Sequence, residues 1–222
     1  MDIALLGGTG DIGEGLALRW GRDADHRLLI GSRKADRAVA AAEEYAGTIT
    51  DHGATATVEG ADNEAAAAAA DVVLCCVPAY HLVDTIEAVG DSLDPGDVLV
   101  SPAVGMKRDE AGFHYNRPGA GSVTELAARA APEAVPVVGA FHHLSAERLA
   151  DLSVEIDEDA LLVGDDEAAV ETVAELAEDV TGLRALSAGG LANAAEVESL
   201  TPLLINVARN NERLHHIGVT FD

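Results

Sequence analysis

Lysine is almost missing from this chain: Lys34 and Lys107 stand against 39 aspartates and glutamates in 222 residues. With 14 basic residues in all, the formal net charge is -25. Self-repulsion on that scale argues against nucleic acid or an anionic membrane surface as a partner. The acidic residues are not gathered in a tail; they recur as Glu43-Glu44, Asp157-Glu158-Asp159 and Asp165-Asp166-Glu167. An evenly acidic, lysine-poor surface suits a salt-rich cytoplasm, where screening shortens the reach of repulsion, so a need for molar salt is expected. No apolar run approaches the ~18 to 20 residues of a membrane span. Met1 leads straight into the first apolar run, leaving no room for a targeting peptide, and a cytoplasmic location is expected. Cysteine is nearly absent too. Cys75 and Cys76 are adjacent in an apolar run, where strand neighbours point to opposite faces, so both are expected as buried reduced thiols. There is no C-x-x-C pair and no H-E-x-x-H, and no metal site is expected.

What is abundant is apolar residues, 48% of the chain, enough for one large domain or a domain with an appendage. The stretch that organises them is MDIALLGGTGDIGEG at the start. The apolar run Ile3 to Leu6 feeds into Gly8-Thr9-Gly10-Asp11-Ile12-Gly13, which has G-x-G-x-x-G spacing, and Ile12, Leu16 and Trp20 then follow helical periodicity. Such a strand-to-helix turn uses its first glycine for the turn, its second for approach to a pyrophosphate and its third for packing of helix on strand. The helix N-terminus offers unpaired N–H groups and partial positive charge to the phosphates.

His26 to Ile30 reads as the second strand and ends at Gly31-Ser32-Arg33-Lys34, with Arg37 one turn on. Ser32 lies 24 residues beyond Gly8, close to the ~20 at which a dinucleotide fold chooses its cofactor. An acidic residue at the strand tip would take a ribose 2′-hydroxyl. Three basic residues between positions 33 and 37, in so acidic a chain, favour a 2′-phosphate and hence NADP.

Further on, a helix over 37–46, a loop from Thr48 with a weak strand at 56–58, and a helix over 65–70 are expected. Val72 to Val77 reads as a buried central strand, delivering Val77 and Pro78 to the cofactor edge. A helix over 82–90 and a strand over 98–100 follow, the latter opening into Ser101-Pro102-Ala103-Val104. Residues 106–122 read as a long loop and 123–131 as a helix, and the strand 135–140 ends at Phe141-His142-His143. This alternation predicts a Rossmann-type doubly wound parallel α/β sheet with helices on both faces. From Ser145 the character changes: a short helix, a strand over 161–163, an acidic helix over 166–179 and a strand over 183–186. A final helix over 194–214 is kinked at Pro202. Residues 1–144 are thus expected as a nucleotide-binding domain and 145–222 as a small C-terminal α/β elaboration. His215-His216, at a helix end, reads as structural.

These residues resemble the F420-dependent NADP reductases of archaea and some bacteria. The resemblance runs over essentially the whole chain and is carried by IALLGGTGDIGEGLALR, IGSR, VSPAV, GAFHHL and VESLTPLLINVAR. It implies a Rossmann domain with a small C-terminal part and reversible hydride transfer between reduced coenzyme F420 and NADP, in a homodimer or a larger assembly. With the acidic surface, it implies a halophilic archaeal source. Carried over by position, the NADP contacts are Thr9, Ser32, Arg33 and Arg37 with the turn Gly8 to Ile12. The deazaflavin side is Val104, His142, Ser199 and Thr201, and Ala103 is a further cofactor contact. The chain departs from the pattern at Ala194-Ala195, where a basic residue is expected ahead of VESLTPL, and at Ser145, where proline is common.

Hydride transfer asks little of side chains beyond stacking two rings and excluding water. Ser199 and Thr201, at i and i+2 of a helix, reach one ligand together only if the helix is irregular. Two other readings share the nucleotide half. One is an NADP-dependent reductase of a small imine or keto acid using His81 or His142; the other is a non-catalytic NADP-sensing module. Fold does not choose among them.

Overall fold

The computed structural model describes residues 1–214 and 217–222, so His215-His216 lies outside the described residues. Ten strands and eight α-helices are described. In chain order they are β1 (Asp2–Leu6), α1 (Asp11–Asp23), β2 (Arg27–Ser32), α2 (Ala35–Asp51), β3 (Thr57–Asp62), α3 (Asn63–Ala67), β4 (Val72–Cys75), α4 (Ala79–Val89) and β5 (Val98–Ser101). Then come β6 (Met106–Asp109), β7 (Gly112–Tyr115), α5 (Val123–Ala130), β8 (Val137–Gly139), α6 (Ala146–Ala150), β9 (Glu158–Gly164), α7 (Glu167–Glu178), β10 (Leu183–Ser187) and α8 (Ala194–Asn210).

Eight strands form one sheet in the order β10-β9-β8-β5-β4-β1-β2-β3. Each pair is parallel except β8 with β9, which is antiparallel. The expected parallel sheet is therefore mostly parallel. The chain reverses when it enters its last third, and β9 and β10 extend the same sheet rather than starting another. The order turns back at β1, between β4 and β2, where an open α/β sheet leaves a crevice beyond its strand ends.

Alternation along the strands sorts the core onto the two faces. Ile3, Leu5, Leu28, Ile30, Val72 and Leu74 join one apolar cluster, while Ala4, Leu6, Leu29, Val73 and Cys75 join the other. Cys75 and Cys76 fall on opposite sides as free buried thiols. Burial pushes the Cys75 thiol up to about 12 and Cys76 further, so neither ionises near neutrality. Trp20 fixes the first helix to the last third of the chain: its ring meets Phe141 edge-on at 5.8 Å and its Nε1 donates to Leu176 O at 2.8 Å. Beside it the fully buried Arg19 guanidinium donates to the carbonyls of Arg148, Leu149, Asp151 and Val154 at 2.6 to 2.9 Å. It thereby satisfies the unpaired C-terminal end of α6.

Several element boundaries depart from expectation. Helix α2 runs on to Asp51 through Gly47 and the β-branched run Thr48-Ile49-Thr50, because Ile49 is fully buried in the core and packing outweighs propensity. Strand β3 is correspondingly later and longer than 56–58, and α4 starts at Ala79 rather than 82. Helix α8 passes through Pro202 and stops at Asn210, not at 214. The largest correction concerns 106–122, read as a loop: β6 and β7 form an antiparallel hairpin with Lys107 opposite His114 and Arg108 opposite Phe113. Its strands are four residues long and β6 is exposed throughout, so no apolar alternation announced it.

Candidate functional site

A trough crosses the C-terminal edge of the sheet and divides into two clefts of about 770 and 540 Å³. Gly10, Cys76, Val77 and Pro78 line both, so the clefts meet at the crevice between β1 and β4.

The turn after β1 is made by backbone. Gly7, not Gly8, adopts the left-handed conformation, at φ 71°, which corrects the role assigned to Gly8. Gly8 N donates to Leu5 O and Gly31 O, and a Cβ at Gly8 would stand 2.6 Å from Leu5 O. Its requirement is close packing, and it lines neither cleft. Gly13 packs on that turn: its Cβ would lie 2.6 Å from Gly8 Cα. Gly10, by contrast, would meet nothing nearer than Gly7 O at 3.4 Å and leaves open space for a ligand. It begins α1 without a side-chain cap, so the first N–H groups of a 13-residue helix are left unpaired by any cap.

Thr9, Ser32, Arg33 and Arg37 line the first cleft with Gly10, as does Lys34. Lys34 N donates to Ser32 Oγ at 3.4 Å, leaving the Ser32 hydroxyl proton free to donate into the cleft. Arg33, Lys34 and Arg37 are exposed and form no ion pair among the described residues. Three unpaired cations beside uncapped helix N–H groups make this end of the trough a site for an anion. The opposite wall is Val77 and Pro78 with His81 of α4. Asn63, missed from the sequence, also lines this cleft, and its Oδ1 is buried without a hydrogen-bond partner. It starts α3 at the end of β3, just ahead of the helix expected over 65–70.

The second cleft is lined by Asp11 and Ile12 on one side and by Ala103, Val104, His142 and Thr201 on the others. Pro102, Met106, Phe141, Leu144 and Ala146 complete it; Phe141 and Leu144 stand on the ligand edge expected beyond the strand 135–140, while Met106 and Ala146 were not anticipated. Ser199 is absent from this lining; its hydroxyl donates to Glu196 O at 2.7 Å within α8. The i and i+2 positions thus diverge, as on a regular helix, and only Thr201 reaches the cleft. Its hydroxyl donates to His142 O at 2.7 Å, tying α8 to the end of β8.

His142 is held by a buried polar chain. Phe141, at φ 64°, is the one non-glycine with positive φ among the described residues, a strained turn that sets Phe141 against Trp20 and the next ring toward α5. Gly139 makes room for it, since a Cβ there would lie 2.9 Å from His142 Cε1. His142 Nε2 stands 3.3 Å from Thr124 Oγ1, and Thr124 Oγ1 donates to Glu198 Oε1 at 2.9 Å. Glu198, fully buried on α8, also accepts from the N–H groups of Val123 and Thr124 at the start of α5 and from Tyr115 OH at 2.7 Å. With the Thr124 proton committed to Glu198, its oxygen is left to accept from His142 Nε2–H. Nδ1 is then the bare acceptor, and it is buried without a partner. Burial, then neighbouring His143, lowers the His142 pKa to about 3, so the ring is neutral at physiological pH. It can accept a hydrogen bond but is no general acid. His143 is likewise lowered by burial, and its Nε2 pairs with Asp159 O at 2.7 Å, away from the cleft. Among the described residues no cluster of His, Cys, Asp and Glu is arranged to hold a metal, and no helix is long and apolar enough to cross a membrane.

Comparison with known proteins shows the family to which the chain is related. Residues 2–105 match the family model described as NADP oxidoreductase coenzyme F420-dependent. The chain is 40% identical to the F420-dependent NADP reductase of Methanothermobacter thermautotrophicus, covering 99% of this chain and 94% of that one. It is 36% identical to the protein of the same description from Methanocaldococcus jannaschii, over 93% of this chain and 92% of that one. Among solved structures, a proposed F420-dependent NADP reductase from Arthrobacter sp. FB24 superposes with a TM-score of 0.80 at 23% identity, covering 100% of this chain and 99% of that chain. A pyrroline-5-carboxylate reductase from Coxiella burnetii reaches a TM-score of 0.58 at 17% identity, over 96% of this chain and 71% of the other, a likeness of fold alone.

Proposed function

The chain belongs to the coenzyme F420-dependent NADP reductase family, an oxidoreductase family, and from that premise we propose how its trough divides the work. The enzyme transfers a hydride between reduced F420 and NADP+, releasing oxidised F420, NADPH and a proton. NADP occupies the first cleft, with its pyrophosphate on Thr9 and Gly10 and reaching the start of α1 at Asp11 and Ile12 where the clefts meet, and its 2′-phosphate between Ser32, Arg33 and Arg37. The nicotinamide reaches the junction at Val77 and Pro78. The deazaflavin lies in the second cleft against Ala103, Val104 and Thr201, with His142 Nδ1 accepting from a ring N–H or O–H. Residues 1–144 hold NADP, and 145–222 help to shape the deazaflavin side.

The observation that carries this reading is the contrast between the two ends of one continuous trough, cationic at the exposed Arg33 and Arg37, apolar at Ala103, Val104 and Phe141. Both cofactors bring their own reactive carbons, so the protein's part is to hold the ring faces together and exclude water. A neutral His142 fits that part, because it fixes orientation without adding charge beside the moving hydride. We place the enzyme in a salt-rich cytoplasm, as a homodimer that binds neither nucleic acid nor membrane.

The test is spectrophotometric. In high salt, the absorbance of oxidised F420 should rise when enzyme meets reduced F420 and NADP+, and not when NAD+ replaces it. Arg33→Ala should raise KM for NADPH about tenfold or more, the loss of a charge-assisted phosphate contact, while the weak use of NADH is unchanged. Equal loss for both nucleotides would remove the 2′-phosphate site. Turnover of a small imine or keto acid without F420 would overturn the hydride partner.

A further inference from the structure

In a chain with 39 acidic and 14 basic residues the guanidiniums can be sorted by partner, and Arg19, Arg117 and Arg129 donate to backbone carbonyls rather than to a carboxylate. Arg22, Arg27, Arg148 and Arg184 each have one, and the first cleft accounts for Arg33 and Arg37. Arg108 of β6 and Arg209 of α8 have neither an ion pair nor a hydrogen bond among the described residues. Instead both pack on one ring, Phe113 of β7, with Cζ 5.4 and 5.5 Å from its centroid. Two like charges on one ring repel, and that repulsion is offset where an anion joins them.

Their positions extend the second cleft. Neighbouring strand residues face opposite ways, so Arg108 shares a face with Met106, which lines that cleft, and lies about 7 Å further along the strand. The opposing residues Phe113 and Tyr115 share this face, and both meet α8. On α8, Thr201 lines the second cleft, and Thr201, Ile205, Ala208 and Arg209 line a groove that continues from it. Arg209 is eight residues beyond Thr201, about 12 Å along the helix axis. The arrangement is held rigidly. Asn206 of α8 donates to Phe113 O at 2.6 Å and accepts from Phe113 N at 2.9 Å, and Tyr115 bonds to Glu198. Lys107 falls on the other face of the hairpin, opposite His114.

We propose that Arg108 and Arg209, stacked on Phe113 at the outer end of the second cleft, bind the anionic tail of coenzyme F420. This rests on the hydride-transfer reading and deepens it. Beyond its ring and ribityl linker the cofactor carries a phosphodiester and glutamate carboxylates, anionic groups of the kind that planar guanidinium forks recognise. The site also accounts for the missing basic residue before VESLTPL. Ala194 and Ala195 are packed in the interior at 0% and 5% exposure, so a charge at those positions would be buried. The hairpin and the end of α8 supply it from outside.

The discriminating substrate is the truncated deazaflavin that retains the ring and ribityl chain but lacks phosphate and glutamates. Its KM and that of F420 are compared at the lowest salt at which the protein stays folded by circular dichroism. Arg108→Ala and Arg209→Ala should each raise KM for F420 about tenfold. Both should leave kcat, KM for NADP+ and KM for the truncated deazaflavin within about twofold of the parent. Arg209→Lys should recover part of the loss, high salt should shrink it, and Lys107→Ala, the same charge on the other face, should leave F420 unaffected. An equal rise for both deazaflavins, a rise for neither, or a Lys107→Ala effect as large as the arginines' would overturn the tail site while hydride transfer stood. Parent enzyme that turns over neither deazaflavin would overturn the function itself, and the tail site with it.

Discussion

The two ends of the trough are built by different means. The end proposed for the nucleotide takes its donors and charge from two local segments, the turn Gly7 to Gly10 and the strand tip Ser32 to Arg37, and the cations there stand exposed and form no ion pair among the described residues. The deazaflavin end draws on residues scattered from Asp11 to Thr201 and is held by a buried chain from Tyr115 through Glu198 and Thr124 to His142. A phosphate site needs donors and charge, which backbone and mobile side chains supply. A ring site needs shape, which only close packing supplies. Function and stability should therefore be separable at one end and inseparable at the other.

The strongest challenge to that contrast is Glu198→Ala. It strands four donors at once, three of them buried, and should cost about 3 kcal/mol of unfolding free energy or more. By the same reasoning it should raise KM for F420 well before KM for NADP+. Arg37→Ala, an exposed side chain at the cationic end, should stay within about 0.5 kcal/mol of the parent in denaturant while weakening NADPH. Comparable destabilisation by the two would erase the distinction.

The second test is acid. His142 is held near 3, far below the ordinary histidine value of 6.5, so between those limits the unfolded chain binds a proton that the folded chain refuses. The stability this ring contributes is complete above pH ~6.5 and drains by up to about 1.4 kcal/mol per unit as pH falls toward 3. His143 acts in the same direction. Urea midpoints at pH 7.5 and 4.5 should converge in His142→Asn relative to the parent, and parallel shifts would mean the ring is not held neutral. The activity profile, meanwhile, should show no break near pH 6.5 from this residue.

The smallest expected effect is at Ser199. Its hydroxyl is turned into α8, so Ser199→Ala should change neither stability beyond about 0.5 kcal/mol nor KM for F420 by more than about twofold. A marked loss would mean that α8 rotates when the deazaflavin binds.

Much of the first half was legible in the chain because its causes lie within a few residues of each other. Gly13 must be glycine because it packs on a turn five residues earlier, and Arg33 and Arg37 follow directly on the tip of β2. The hairpin was not legible, since β6 carries no apolar alternation and Asn206, which anchors β7 through Phe113, lies far along the sequence. Glu198 sits inside the motif that carried the resemblance, yet nothing there tells that its oxygens cap α5.

By itself the sequence determined the charge, the alternating strands that sort the core onto two faces, the glycine turn and the cationic strand tip. Each is a matter of composition or of spacing within one or two elements. Only the tertiary structure decided that β9 turns antiparallel against β8, that Thr201 rather than Ser199 faces the cleft, and that His142 is neutral with a bare Nδ1. Those outcomes depend on which distant groups are brought together and how much water is squeezed out between them, and close packing fixes both.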